Sequence, residues 1–497
     1  HDLAAGSGIA VIYTDAQKDY TEVFNEDHNI TDASIGDIAS RVDTRVKSGV
    51  PILVFNSQAW PRSESVEFTL QSPEFFNGFM IQHGDHALVP SQVLSRHSET
   101  NEITILAKVD VPAFGYAVLN AFPASDTMEV PAVNLQETPN SYTLRNTKLK
   151  LTLDRKTGCI TSLVSLPSNA ESLAPNACGN QLQTFKDTPK QYDAWNIDPG
   201  TLDHVTPIDE LDSVTLVDRG PVRATVRVSR TWQKSKFVQD ISLDAGADTV
   251  VIDNNIDWHE THVLLKAAFP LAATADKATY EIPYGSIARP TTRNNSWEKA
   301  KFEVPAMRWA DLGDDKQGLS ILNDSKYGYD AEGNTLRITL LRSPTWPDPD
   351  ADRGHQHFVY ALYPHAGTWK QALTVHRGYE LNDPLKAEQV FPHTGSLPAE
   401  HSWASIENPN VTLTAIKKAE DSDALIFRMY EWAGTATEVK LHIPAGATAA
   451  TETNLMEKPE GANLNLTGDI VTVPIKPYEI LTIEAAYPNN HHLAAAK

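Results

Sequence analysis

The sequence predicts a mainly β protein: a large β-sandwich with smaller β-sandwich domains, preceded by a short helical segment from a helix bundle. Three observations carry this. Short runs alternate apolar and polar residues, as in Val222-Arg223-Ala224-Thr225-Val226-Arg227-Val228, the pattern of a strand buried on one face. Turn residues such as Lys156-Thr157-Gly158 separate those runs. The length, 497 residues, exceeds what one hydrophobic core accommodates, so about two to four domains are expected.

Residues 1–48 carry the helical pattern. Val11, Ile12, Tyr20, Val23 and Phe24 recur near helical intervals, Asn29-Ile30-Thr31-Asp32 interrupts them, and Ile35, Ile38, Ala39 and Val42 suggest a second helix. Two helices with one-sided apolar stripes cannot form a core alone, so they read as part of a bundle. Period-two runs begin at Pro51–Asn56 and continue through Ser65–Leu70, Ile103–Ala107 and Tyr116–Leu119, a small β domain over 49–132 that ends in the Pro-containing linker Ala121–Pro131. Strands Tyr142–Arg145, Leu149–Asp154 and Ile160–Val164, with the hairpin turn Lys156-Thr157-Gly158 before the last, open a large two-sheet sandwich over 133–400. After the Pro-rich stretch Pro392–Pro398, runs such as Leu425–Tyr430 form a terminal small β-sandwich over 401–487, and 488–497 is a tail.

The chain has 42 Lys and Arg against 64 Asp and Glu, a formal charge of −22 with the acidic residues dispersed. Such a surface repels nucleic acid and anionic membrane, and favours neutral ligands. No apolar run reaches the roughly 18 residues of a transmembrane helix. Cys159 and Cys178 are the only cysteines. Two of them form neither a disulfide framework nor a zinc ribbon, which favours a reducing, cytoplasmic location, with secretion or a vacuole as the alternatives. The chain starts at His1 without Met or a leader pattern, so it reads either as cleaved there or as the later part of a longer protein.

The stretch Glu281–His365 holds the aromatics Tyr284, Trp297, Trp309, Tyr327 and Trp346 and the arginines Arg289, Arg308, Arg342 and Arg353. In so acidic a chain those arginines pair with carboxylates or meet a polyol, and the aromatics either fill a core or stack on sugars. His259-Glu260-Thr261-His262 lies in strand-like sequence, where histidines three apart face opposite sides and cannot share a metal. His355 and His357 would share a strand face, compatible with ligation or with ordinary hydrogen bonding. Nucleophile-elbow, P-loop and dinucleotide motifs do not occur.

Several segments, in order, resemble the C-terminal region of the family 38 glycoside hydrolases, the α-mannosidases. They are His1–Ser7, Phe55–Arg62, Leu149–Leu163, Tyr192–Asp198, Asp257–Glu260, Leu264–Lys266, Tyr284-Gly285 with Arg289-Pro290, Lys326–Asp330 and Leu340–Pro344. The resemblance implies retaining hydrolysis of α-mannoside oligosaccharides, with zinc or another divalent cation gripping sugar hydroxyls. It implies that His1 is a metal ligand and that Asp2 contacts the sugar. It also implies that Tyr192, Asp193 and Trp195 lie on a loop approaching the substrate, with Arg342, Asp352, Arg353 and His355 as further substrate-binding candidates. Nucleophile and acid/base are expected in an N-terminal catalytic barrel that this chain does not contain. The chain alone is therefore expected to be inactive, and the barrel becomes its partner. Homo-oligomers are common in the family. The alternative is a non-catalytic carbohydrate-binding or assembly module of the same ancestry.

Overall fold

A computed structural model describes residues 3, 6–46, 48–71, 78–84, 87–124 and 133–488. His1 and Asp2, the second half of the Ala121–Pro131 linker, and the tail beyond 488 lie outside the described residues.

The N-terminal region is one 32-residue helix, Ala10–Arg41, rather than two. Asn29–Asp32 contains neither Gly nor Pro. Thr14, Thr21 and Ser34 return their hydroxyls to carbonyls one turn back, so polar residues sit in the helix without breaking it. Only Ala16 and Ala39 are buried on it, while Val11, Tyr20, Val23, Phe24 and Ile30 are exposed.

The period-two runs become strands. Arg62–Gln71, Glu102–Val111 and Ser91–His97 form a three-stranded sheet. It packs on a second sheet ordered Lys386–Gln389, Val50–Asn56, Gly115–Ala124, Gly78–His83 and Leu88–Val89, through Ile52, Phe68, Phe79, Ile105 and Leu119. Sequence reading placed 386–400 in the large sandwich. Instead Lys386–Gln389 pairs with Val50–Asn56, and Glu400–Ser402 with Gly115–Ala124.

The large sandwich has a nine-stranded antiparallel sheet: Ser213–Arg219, Arg223–Trp232, Ser235–Asp244, Val250–Trp258, Gly354–Ala366, Gln317–Asn323, Trp309–Gly313, Lys277–Ile282 and Gly285–Pro290. Two sheets, of six and five strands, share its core, so the opposing layer is split where one sheet was expected. Leu149–Asp154 and Ile160–Ser165 form the expected hairpin. Gly158 (φ +71) lies in its turn, where a Cβ would come within 2.6 Å of the Arg230 guanidinium. Within this apolar core, buried Lys266 lies 2.8 Å from Asp330, donates to Glu303 and, at 2.8 Å, to Thr339 Oγ1, while Arg337 pairs with Asp330 at 2.7 Å. Charges enter a low-dielectric interior only when mutually compensated in this way.

Cys159 and Cys178 form a disulfide, with Cα atoms 5.0 Å apart. One bridge is no framework, but it withdraws the support that the two cysteines lent to a reducing compartment. The antiparallel bridge between Ile160 and Gly179 brings them together.

Two further sheets, containing Thr437–His442 and Leu425–Glu431 among their strands, form the terminal sandwich around Phe427, Met429, Val439, Val471 and Ile483. Helix Thr374–Asn382 sits where the domains meet. His376 stacks on Trp60 at 4.0 Å and 10°, and Arg62 donates to the carbonyls of Glu380 and Asp383.

Candidate functional site

Three segments converge at one end of the large sandwich: 187–198, the turn after strand Val250–Trp258, and the loop 342–353 before strand Gly354–Ala366. Their centre is Arg342. Its Nε donates to Asp187 Oδ2 at 2.6 Å, Nη1 to Ala194 O at 2.8 Å, and Nη2 to the carbonyls of Asp193 (2.7 Å) and Asn196. A guanidinium presents its donors in a fixed planar fork, so one side chain sets the path of the whole 193–196 backbone. Arg342 therefore holds the loop and has little donor capacity left for a sugar.

Asp193 performs the reciprocal task. Its Oδ2 accepts from the backbone N–H of Thr345 (2.8 Å) and Trp346 (3.1 Å) and lies 3.0 Å from His262 Nε2. Its Oδ1 is buried with no hydrogen-bond partner among the described residues. Burial, the largest single influence, pushes the Asp193 carboxyl up, but the bonds from Thr345, His262 and Trp346 together hold it below the usual carboxylate range. Asp187 goes the other way. Burial outweighs the bond and charge of Arg342 and raises its carboxyl, and its Oδ1 also has no partner among the described residues.

Asp352 (φ +61) accepts from Ser343 N–H at 2.9 Å, and Ser343 O accepts from His262 N–H at 2.8 Å. Tyr192, His262, Ser343 and Asp352 all have φ between +53° and +61°, a strained backbone that persists only where its surroundings hold it. The polar candidates thus spend their hydrogen bonds on each other. Besides Asp352, the exposed members of the cluster are aromatic: Tyr192, Trp195 and Trp346, the two indoles 5.2 Å apart and tilted by 55°.

Of the expected site residues, Tyr192, Asp193, Trp195, Arg342 and Asp352 share this cluster. Arg353 pairs with Asp350 at 2.8 Å, and His355 is exposed opposite Asp257 at the start of its strand. Asp187, His262, Thr345 and Trp346 complete the cluster and were not singled out as site residues. The His259–His262 segment is a turn, where a strand was expected. His259 meets Asp257 at 2.8 Å, buried Glu260 accepts from Ser235 Oγ at 2.9 Å, and His262 turns to Asp193. His357 meets Asp253 at 3.2 Å. The central arginines are occupied too: Arg308 pairs with Glu281 at 2.7 Å, and Arg289 donates to Pro305 O at 2.9 Å. Among the described residues no group of three or more His, Cys, Asp or Glu could hold a metal ion.

Comparison with known proteins gives these features a context. The glycosyl hydrolases family 38 C-terminal domain matches residues 144–350, and the family 38 C-terminal beta sandwich domain matches residues 410–483. Alpha-mannosidase 2C1 of Mus musculus is 32% identical over 498 residues, covering 97% of this chain and 44% of the mouse protein. An alpha-mannosidase of Saccharomyces cerevisiae is 31% identical over 371 residues, covering 68% of this chain and 34% of the yeast protein. The crystal structure of an alpha-mannosidase from Enterococcus faecalis V583 superposes with a TM-score of 0.79 at 15% identity, covering 96% of this chain and 60% of that one. The fold is therefore shared well beyond recognisable sequence similarity. The chain spans less than half the length of the curated relatives named here. It belongs to glycosyl hydrolase family 38, as a C-terminal β region of that family.

Proposed function

We propose that this chain is the C-terminal part of a metal-dependent, retaining α-mannosidase acting on terminal α-mannosides of oligosaccharides or glycans. The nucleophile and acid/base carboxyls would come from polypeptide outside residues 1–497. The observation that supports this reading is continuous similarity to an α-mannosidase along 97% of the chain at 32% identity. In this reading the cluster around Arg342 is a supporting scaffold. Arg342 and Asp193 fix the loop, and Tyr192, Trp195 and Trp346 offer ring faces to a sugar, whose C–H-lined face stacks on aromatics.

His1 would contribute one metal ligand and Asp2 an acceptor for sugar hydroxyls; imidazole suits zinc. The described β region contributes no further ligand set, so the remaining ligands would come from outside it. When bound, such an ion grips vicinal hydroxyls and stabilises developing charge. The aromatic faces of this chain would hold the sugar beside it.

The test is hydrolysis of an aryl α-mannoside by the polypeptide that includes whatever precedes His1, with the first-formed anomer read by proton NMR. The α anomer first, with activity lost to a chelator and restored by zinc, is the expected result. The β anomer first would overturn the retaining mechanism, and chelator-insensitive turnover would overturn the metal.

A further inference from the structure

A cleft lies where the large sandwich meets the terminal one. It has a volume of about 340 Å³ and is walled in part by Tyr284, Met307, Arg308, Asp324, Tyr327 and Asn382, at the lower end of the roughly 300–1,000 Å³ typical of small-ligand sites. Tyr284 is its most telling residue. Pro283 and Tyr284 form the two-residue turn between strands Lys277–Ile282 and Gly285–Pro290, with Ile282 opposite Gly285. Tyr284 has φ +57, a turn position that Gly or Asn fills without strain. Its ring stands perpendicular to Tyr430 at 5.4 Å and 88°, which fixes its plane, yet 46% of the residue is exposed. A bulky residue held at a strained position with its side chain half open suggests a use for that ring. Tyr327, 54% exposed, lines the same cleft.

Unspent polar capacity accompanies the rings. Arg308 commits Nε, Nη2 and its backbone N–H to Glu281, and no described residue accepts from its Nη1. Asn382 donates its amide to the carbonyls of Asn323 and Gly378, and no described residue donates to its Oδ1. Each Asp324 oxygen accepts one bond, from Ser325 Oγ or Val359 N–H, and keeps a lone pair. The guanidinium is neutralised by Glu281 and Asp324 adds negative charge, so the lining does not suit a phosphate or carboxylate.

We propose that this cleft binds a neutral sugar ring of an oligosaccharide, stacked on Tyr284 and Tyr327, as a non-catalytic site. The choice of an α-mannoside as first probe rests on the proposed function; the site itself does not. The experiment is titration calorimetry of the 1–497 chain with α-linked mannotriose and, separately, maltotriose. At least one trisaccharide is expected to bind, with affinity reduced about ten-fold or more in Tyr284→Gly, which suits the turn, and in Tyr327→Ala. Phe391→Ala, at an exposed ring outside the cleft, should leave this binding unchanged. The proposal falls if neither trisaccharide binds, or if affinity survives both tyrosine substitutions with native near-UV dichroism. It falls too if Tyr284→Gly changes the oligomeric state in sedimentation, which would make the cleft a subunit contact. Mannoside turnover by the longer polypeptide is read separately. Binding here without turnover there would retire the enzyme reading and leave this site standing.

Discussion

Replacing Arg342 with Met should release the 187–198 loop. The substitution removes four donors at once: the bond to Asp187 and those to the carbonyls of Asp193, Ala194 and Asn196. Asp187 is 1% exposed in its side chain and its other oxygen is already unpartnered, so its charge would be left without compensation. Breaking a buried pair from one side costs about 3–5 kcal/mol, and the three carbonyls belong to the same network rather than adding separately. Several domains make a single global unfolding energy ill defined, so the assay is hydrogen exchange at the N–H groups of Trp195, Asn196, Thr345 and Trp346. Exchange there should quicken by roughly a hundred- to a few-thousand-fold. Arg342→Lys, a single ammonium in place of a fork, should fall between. The pH dependence fixes the sign. The Asp187 carboxyl lies above its ordinary value of 3.8 because burial outweighs Arg342. A raised acid holds its proton more tightly when folded, so its penalty fades as pH falls toward the ordinary value. The defect of Arg342→Met should therefore be greatest near neutral pH and shrink on acidification. Exchange within about three-fold of wild type, or a defect that does not vary with pH, would refute the reasoning.

Lys266→Met should destabilise the large sandwich by about 3–5 kcal/mol, read as faster hydrogen exchange in strand Val263–Pro270, because Asp330 and Glu303 lose their shared cation; a change below about 1 kcal/mol there would contradict it. The Cys159–Cys178 bridge closes a separation of 19 residues, so Cys159→Ser should cost about 3 kcal/mol. Thiol titration of unreduced native protein should find no free thiol, and two free thiols would refute the pairing. His376, desolvated between Trp60 and Trp432, is pushed down to about 4. Its neutral form is favoured by folding, so its contribution is complete above its ordinary value of 6.5 and is lost as pH falls from there toward 4, about 3 kcal/mol in all. An imidazole resonance titrating near 6.5 would overturn that.

How much of this could be read from the sequence depends on the range of the interaction. Val222–Val228 and the hairpin Leu149–Val164 were legible because period-two alternation is a local consequence of burying one face. The continuous helix was not, since Asn29–Asp32 resembles a break and its tolerance depends on exposure. The disulfide was illegible because the spacing of Cys159 and Cys178 says nothing of the bridge that aligns them. At the candidate site the Tyr192–Asp198 loop was identified through family resemblance, but the bonds that hold it were not legible. Arg342 and Asp193, expected at the substrate, fix the loop through partners up to 155 residues away. Trp346 was visible only as an aromatic in a Pro-rich stretch; its place beside Trp195 follows from a left-handed turn at Ser343 that no pattern announces.

In the proposed reading this chain supplies the β scaffold of an α-mannosidase whose reacting carboxylates lie elsewhere. The most direct test is an aryl α-mannoside assay on the chain alone, verified by intact mass at 54.7 kDa, beside the longer polypeptide. Turnover is expected from the longer protein, and none above the buffer blank from the 1–497 chain. Sustained hydrolysis by the verified chain alone would contradict it.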